Sequence, residues 1–179
     1  MEVIAEPLTD LSLVQRAASV TAHGAKVRSG IKMWACNEHS PLRAYIWWVA
    51  MYGIPYRAAM HLRTHHLGVE HFVSTTRPDF APDGGEDSKS APVNHAMLLN
   101  AQSLINISRS RLCYKAHLRT VWVMRRVRKA VAVHDPELAR WLRPECVYRN
   151  GYCPEPKECY PGLENVLWMY GQNEESGYE

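Results

Sequence analysis

Residues 61–77, HLRTHHLGVEHFVSTTR, hold four histidines and two arginines and close on Ser-Thr-Thr-Arg. Three chemistries compete for this stretch. On a helix, His61 and His65 lie four apart on one face, and with His66 and His71 they could ligate a metal, since neutral imidazole is a good zinc ligand. HxxxH without the glutamate of HExxH is a sparse signature for that role. Alternatively, the imidazoles close hydrogen bonds in a packed helix end. The third reading is anion and cofactor binding. A helix stopped by Gly68, followed by a strand with Ser74 and Arg77, presents imidazole, hydroxyl and guanidinium donors together. Glu70 and His71 could form a proton relay or a surface ion pair.

The elements that must carry these residues read as a mixture. DLSLVQRAASVTAHG is a first helix, with Asp10 as N-cap and Gly24 as stop. AYIWWVAMYG (44–53) is a buried strand, and a helix follows from Tyr56 to His65. VEHFVST is a short strand, and residues 78–94, rich in Pro, Gly, Asp and Ser, are a loop. HAMLLNA is a strand leading into the helix QSLINISRSRLC. A long basic helix runs from Tyr114 to Val133, and Asp135-Pro136 opens another, PELARWL. Residues 1–170 are expected to form one domain and 171–179 a flexible tail. The fold class is α/β or α+β.

Composition bounds the function. The chain has 179 residues, 46% hydrophobic and 22% charged, with formal charge +3. That suits one globular domain and an anionic partner, small or polymeric. No apolar run approaches the roughly 18 residues a membrane span needs, and the acidic start does not resemble a signal peptide. A cytoplasmic protein is expected. Cys146, Cys153 and Cys159, spaced by six and five residues, make four possible thiolates with Cys113. They suggest structural zinc pinning the tail, although paired CxxC motifs are absent; reduced thiols packed as small hydrophobes are the alternative. The basic helix carries Trp122 among arginines, a pattern open to nucleic acid but equally that of a helix solvated on one side.

Three ordered blocks resemble the flavin-dependent thymidylate synthases. Thr64-His65-His66, seven residues, then Ser74 is similar to that family's signature of Arg-His-Arg, seven residues, then Ser. LLNAQSLINISRSRLCYKAH (98–117) is similar to its nucleotide- and flavin-binding segment, with Asn100, Asn106 and Arg111 on the matching positions. SPLRAYIWWVAMYGIPYRAAMHL resembles the strand and helix before the signature, and PECVYRNGYCPEPKEC the Cys-rich ending of one branch.

The resemblance implies a twisted, mainly antiparallel sheet flanked by long helices, in a homotetramer holding FAD at subunit junctions. It implies reductive methylation of dUMP to dTMP, with methylenetetrahydrofolate as one-carbon donor and NADPH as reductant. Thr64, His65, His66, Glu70, His71, Asn100 and Asn106 would lie at the flavin, and Ser74, Arg77 and Arg111 at the nucleotide, with Arg111 and Ser74 nearest the chemistry. The sequence departs from the family where it counts. Thr64 and His66 stand in place of the signature arginines, Arg77 comes one residue late, and Gln102 occupies a frequent arginine position. Each lost charged hydrogen bond removes about 1.5–3 kcal/mol of anion binding. A different pyrimidine nucleotide, as in a hydroxymethylase-like enzyme, or a non-catalytic nucleotide- or nucleic-acid-binding homologue, is therefore the alternative.

Overall fold

The structure, a computed structural model, describes residues 1–75, 91–157, 159, 160 and 162–175. Four strands form one antiparallel sheet in the order β1-β2-β4-β3, with β1 at Glu2–Pro7, β2 at Ile46–Pro55, β3 at Val69–Val73 and β4 at Pro92–Asn100. Registers such as Ala5↔Val49, Val49↔Met97 and His71↔Met97 put the odd-numbered side chains of all four strands on one face. Helices cover that face. They are α3 (Tyr56–Arg63) and α5 (Leu118–His134), with α4 (Ala101–Arg111) emerging from the end of β4. Between them Trp47, Met51, Met97 and Leu99 are almost completely buried. Burying a side chain of this size stabilises the fold by roughly 1.5–3 kcal/mol.

Among the described residues no helix covers the even-numbered face. Trp48 packs on Phe72 there, with ring centroids 5.5 Å apart, and Phe72 and Tyr52 remain 52% and 45% exposed. A bulge between Met51 and Ile54 turns the end of β2, and Gly53 (φ 65°) donates its N–H to Asn94 Oδ1 at 3.0 Å.

Several expectations meet the structure closely. Asp10 caps α1 (Leu11–Thr21) by accepting from the Leu13 N–H. Asp135 caps α6 (Pro136–Trp141) through the Leu138 N–H at 2.8 Å. The second strand, the helix after it and the strand into α4 lie where the sequence pattern puts them.

Other elements differ. Nothing in the pattern marks β1, an edge strand whose acidic residues face outward, or α2 (Ile31–Cys36), capped by Gly30 without a side-chain bond. The long basic helix begins at Leu118, not Tyr114, because His117 is extended (ψ 127°) and its carbonyl receives the Thr120 and Val121 N–H groups. Residues 171–175, expected as part of a flexible tail, continue α8 (Leu163–Glu175), anchored by buried Val166 and Tyr170. Residues 176–179 lie outside the described residues, as does most of the loop 78–94, whose last three residues belong to β4. No helix among the described residues is long and apolar enough to cross a membrane.

Candidate functional site

The site is built where the end of α3 turns into β3 against α4. The α3 chain stops because Thr64 folds back, its hydroxyl donating to the His61 carbonyl at 2.8 Å. Gly68 makes the reversal at φ 69°. A Cβ there would lie 2.6 Å from Ser103 Oγ and 2.7 Å from Asn100 Nδ2, so both backbone angle and space demand glycine. Asn100 caps α4 by accepting from the Ser103 N–H at 2.9 Å, and Ser103 Oγ donates to the Leu67 carbonyl at 2.9 Å. The turn is thereby clamped to the start of α4, and Arg111, at the other end of that helix, reaches back to it.

Arg111 Nε donates to His65 Nε2 at 2.9 Å and Arg111 Nη2 to Thr64 Oγ1 at 2.8 Å. These bonds fix a tautomer. With the Nε2 lone pair occupied, neutral His65 carries its hydrogen on Nδ1. Burial, followed by the charge of Arg111 and the neighbouring His71 and His66 imidazoles, pushes the His65 imidazole down to about 4. Burial also draws Arg111 down from its ordinary value. Among the described residues no carboxylate pairs with Arg111. A half-buried guanidinium held by neutral acceptors retains its charge for an anion.

A second chain of imidazoles supports the turn from behind. His71 Nε2 lies 2.7 Å from the His65 carbonyl, which only accepts, so that nitrogen carries the hydrogen. Neutral His71 then accepts at Nδ1 from His95 Nε2, 2.9 Å away. His95 is buried on β4, and its Nδ1 has no partner among the described residues. Burial, then the charges of His71 and Arg63, pushes His95 down to about 4. Beside Arg111, His61 Nδ1 bonds Thr120 Oγ1 at 2.9 Å, and its ring meets His117 edge-on at 5.7 Å.

The structure thus brings Thr64, His65, His71 and Arg111 into one network, with Asn100 in the clamp beneath it. His66 is exposed next to it, its Nδ1 3.3 Å from the Thr64 carbonyl. Other candidates stand apart. Glu70 and His71 are neighbours on a strand and so point to opposite faces, which dissolves the relay between them. Asn106 accepts from Gln102 at 3.0 Å and faces Arg109, not Arg111. Ser74 lies beyond the far end of β3, joined to Asn94 by N–H to carbonyl at 2.9 Å and by its hydroxyl accepting at 3.1 Å. It lines a cavity of about 470 Å³ with Tyr52, His71, Phe72, Asn94 and His95. Arg77 lies outside the described residues.

The metal readings find no support. Among the described residues no group of three or more His, Cys, Asp or Glu is placed to hold a metal ion. His61 and His65 turn to Thr120 and Arg111 instead, and the guanidinium charge opposes a cation. Cys146 sits in an apolar cluster with Val147, Val166 and Tyr170, with Cys153 and Cys159 packed against it. Burial and the neighbouring thiols of Cys153, Cys113 and Cys159 push Cys146 up to about 11. It is a protonated, space-filling thiol.

Sequence reasoning passed over His95, His117, Thr120 and Ser103. His95 alone carried a readable signal. It falls in phase with Val93, Met97 and Leu99, so the alternation of β4 puts an imidazole into the core.

This arrangement sits on a fold that solved structures share. The chain superposes on the flavin-dependent thymidylate synthase ThyX of Helicobacter pylori complexed with FAD and dUMP with TM-score 0.64 at 15% identity, covering 77% of this chain and 97% of that one. A second structure of ThyX from the same organism, also with FAD and dUMP, gives TM-score 0.63 at 16% identity over 82% and 99% of the two chains. The fold is therefore that of the flavin-dependent thymidylate synthases. No protein-family model matches the sequence, and a search of curated proteins finds no match.

Proposed function

We propose that this chain is a flavin-dependent thymidylate synthase-like enzyme that binds FAD and dUMP and converts dUMP to dTMP with methylenetetrahydrofolate and NADPH. The observation that carries the reading is Arg111, half-buried, held by His65 and Thr64, and without a carboxylate among the described residues. It stands on a fold whose solved examples are complexed with FAD and dUMP.

The residues suit such ligands. His65 offers an Nδ1–H donor fixed by Arg111, and Thr64 and His66 add polar atoms at the rim. These groups would meet the polar edge of the flavin, and Arg111 the anionic or carbonyl edge of the nucleotide. Bound FAD, once reduced, supplies the hydride of the reductive step. The chain's own task is orientation and charge, since the cofactor carries the hydride chemistry.

Ser74 and Arg111 lie at opposite ends of the β3 region, so a nucleotide touching both sets bridges two copies. The uncovered sheet face, with Trp48, Tyr52 and Phe72, is a surface for that association, and a homotetramer would supply it. A second reading rests on the absence of fixed cations at Thr64 and His66. It is a flavin-dependent enzyme acting on another pyrimidine nucleotide, in the manner of a hydroxymethylase, or a homologue that binds without turnover.

An absorbance spectrum of the purified protein with FAD titration, followed by dUMP, tests the proposal. Flavin absorbance that follows the protein and shifts on dUMP addition is expected. A colourless protein that ignores FAD would sink it. Mass analysis of products from dUMP and dCMP separates methylation from hydroxymethylation.

A further inference from the structure

The outer face of α5 carries a charge pattern that the Arg111 site does not use. Its residues, Leu118–His134, include Arg119, Arg125, Arg126, Arg128 and Lys129 and no aspartate or glutamate. That exceeds the formal charge of +3 on the whole chain, so the basic excess is concentrated on this one helix. Arg128 turns inward, its Nε donating to the Ala139 carbonyl at 3.1 Å and its guanidinium lying 5.1 Å from the Tyr170 ring. The other four are exposed, and among the described residues no carboxylate forms an ion pair with any of them. Three- and four-residue spacing sets them on one stripe with Leu118, Trp122 and Val133. Leu118 and Val133 are 79% exposed and Trp122 is 43% exposed. Arg126 stacks on the Trp122 ring at 4.5 Å. A cleft of about 380 Å³ flanks the stripe, lined by Pro55, Leu118, Arg119, Val121, Trp122 and Arg125. A second, of about 530 Å³, runs between β1 and α5 and brings Arg126 and Lys129 beside Val3 and Val133, with Glu2 on its wall.

A helix face that only meets water is expected to mix signs, because carboxylates three or four residues away relieve the repulsion between like charges. The α5 stripe does the reverse. Arg125, Arg126 and Lys129 repel one another, and a half-exposed indole and two aliphatic side chains stand among the cations. We infer that this face binds single-stranded nucleic acid, with phosphodiester groups along the four cations and a base stacked on Trp122 in the cleft beside it. Charge complementarity selects a polyanion, and the indole selects one that carries planar bases. A single strand offers the base faces that a duplex keeps stacked on one another. From Leu118 to Val133 the stripe is about 22 Å long at 1.5 Å per residue, enough to follow a short run of phosphates. The site is separate from that of Arg111, which belongs to α4. It also faces away from Trp48, Tyr52 and Phe72, because α5 covers the other face of the sheet. Association through those aromatic residues therefore leaves it open.

Fluorescence anisotropy of a labelled single-stranded oligodeoxyadenylate, titrated with the full-length, FAD-supplemented protein at rising salt, tests this. Saturable binding that weakens with salt is expected. The Arg119→Ala/Arg126→Ala/Lys129→Ala variant should bind more weakly, with a log–log salt slope shallower by about 0.7 for each cation removed. Trp122→Ala should weaken binding by about tenfold with the slope unchanged. A normal melting transition shows that each variant folds, and Lys129→Ala alone serves if the triple variant does not. Saturating dUMP should not compete, and Arg111→Ala should bind the oligonucleotide as the unaltered protein does. Absence of binding at low salt, competition by dUMP, or indifference to Trp122→Ala overturns the inference. So does equal binding of heparin, which has the charge without the bases, or of a duplex. A changed oligomeric state in the charge variant would make the face an interface between copies and overturn it as well. None of these outcomes touches the FAD and dUMP reading, which the flavin spectrum tests separately.

Discussion

Arg109 and Arg111 leave the same helix two residues apart and meet opposite chemistry. Arg109 is balanced by carboxylates. It pairs with Glu38, lies 3.4 Å from Glu145, and stacks its guanidinium 3.6 Å over the Tyr148 ring. Its charge is spent joining α4 to the turn after α2 and to α7 (Glu145–Tyr148). Among the described residues Arg111 has only His65 and Thr64, both neutral. An arginine balanced by carboxylates holds elements together, whereas one balanced by neutral acceptors remains attractive to an anion. Residue type gives the two equal standing, the resemblance picks out Arg111, and their surroundings separate the roles.

The largest expected effect comes from acid. His65 and His95 are held near 4 in the fold against an ordinary 6.5. Both values are depressed, so the stability each contributes is complete above pH 6.5 and is lost as pH falls toward 4. The loss is at most about 3 kcal/mol for His95, and less for the more accessible His65. Protonated His65 also ceases to accept from Arg111, so the anion site loosens in the same range. Urea unfolding at pH 7.5 and 4.5 measures the loss. His95→Gln should flatten the dependence, and an unchanged slope would remove His95 from the account.

Arg111→Ala comes next. It should weaken dUMP binding by about 100-fold, as expected for loss of charge-assisted hydrogen bonds, and leave the melting temperature nearly unchanged. Equal losses of dUMP and FAD binding would contradict the role given to this side chain. Gly68→Ala should cost about 2 kcal/mol of stability, through its positive φ and the collision with Ser103 and Asn100, and should disturb nucleotide binding with it. The smallest effect is the mirror of the second. Arg109→Ala should lower stability by about 1 kcal/mol, since its partners are partly solvated, with dUMP affinity preserved. If Arg109→Ala abolished nucleotide binding while Arg111→Ala did not, the two arginines would have to exchange roles.

Part of the candidate site was legible in the residues that carry the family resemblance. The resemblance marked His65 and Arg111, which do meet, and Asn100, which caps the helix between them, and Gly68 was read as the break between helix and strand. Glu70 and Asn106 were less legible, because adjacency in sequence says little about which way a side chain faces until strand register and helix phase are known. His95 and His117 were missed for a related reason. A histidine's role depends on which lone pair is occupied, and the partners here come from distant segments. The cysteines show the same limit. Their number suggested a metal, but the apolar packing of α8 against Cys146 makes that thiol a filling group.

The sequence by itself determined the local elements of α3, β4 and α4, through hydrophobic period, the Asn100 cap and the Gly68 break, since these depend on neighbours within a few residues. It also determined which ionisable groups were available. Only the tertiary structure decided their state: Arg111 without a carboxylate among the described residues, His65 neutral with its hydrogen on Nδ1, His71 shared between His95 and a backbone carbonyl. Charge and tautomer follow from burial and from partners brought together across the chain, and those contacts exist only once the sheet and helices have closed.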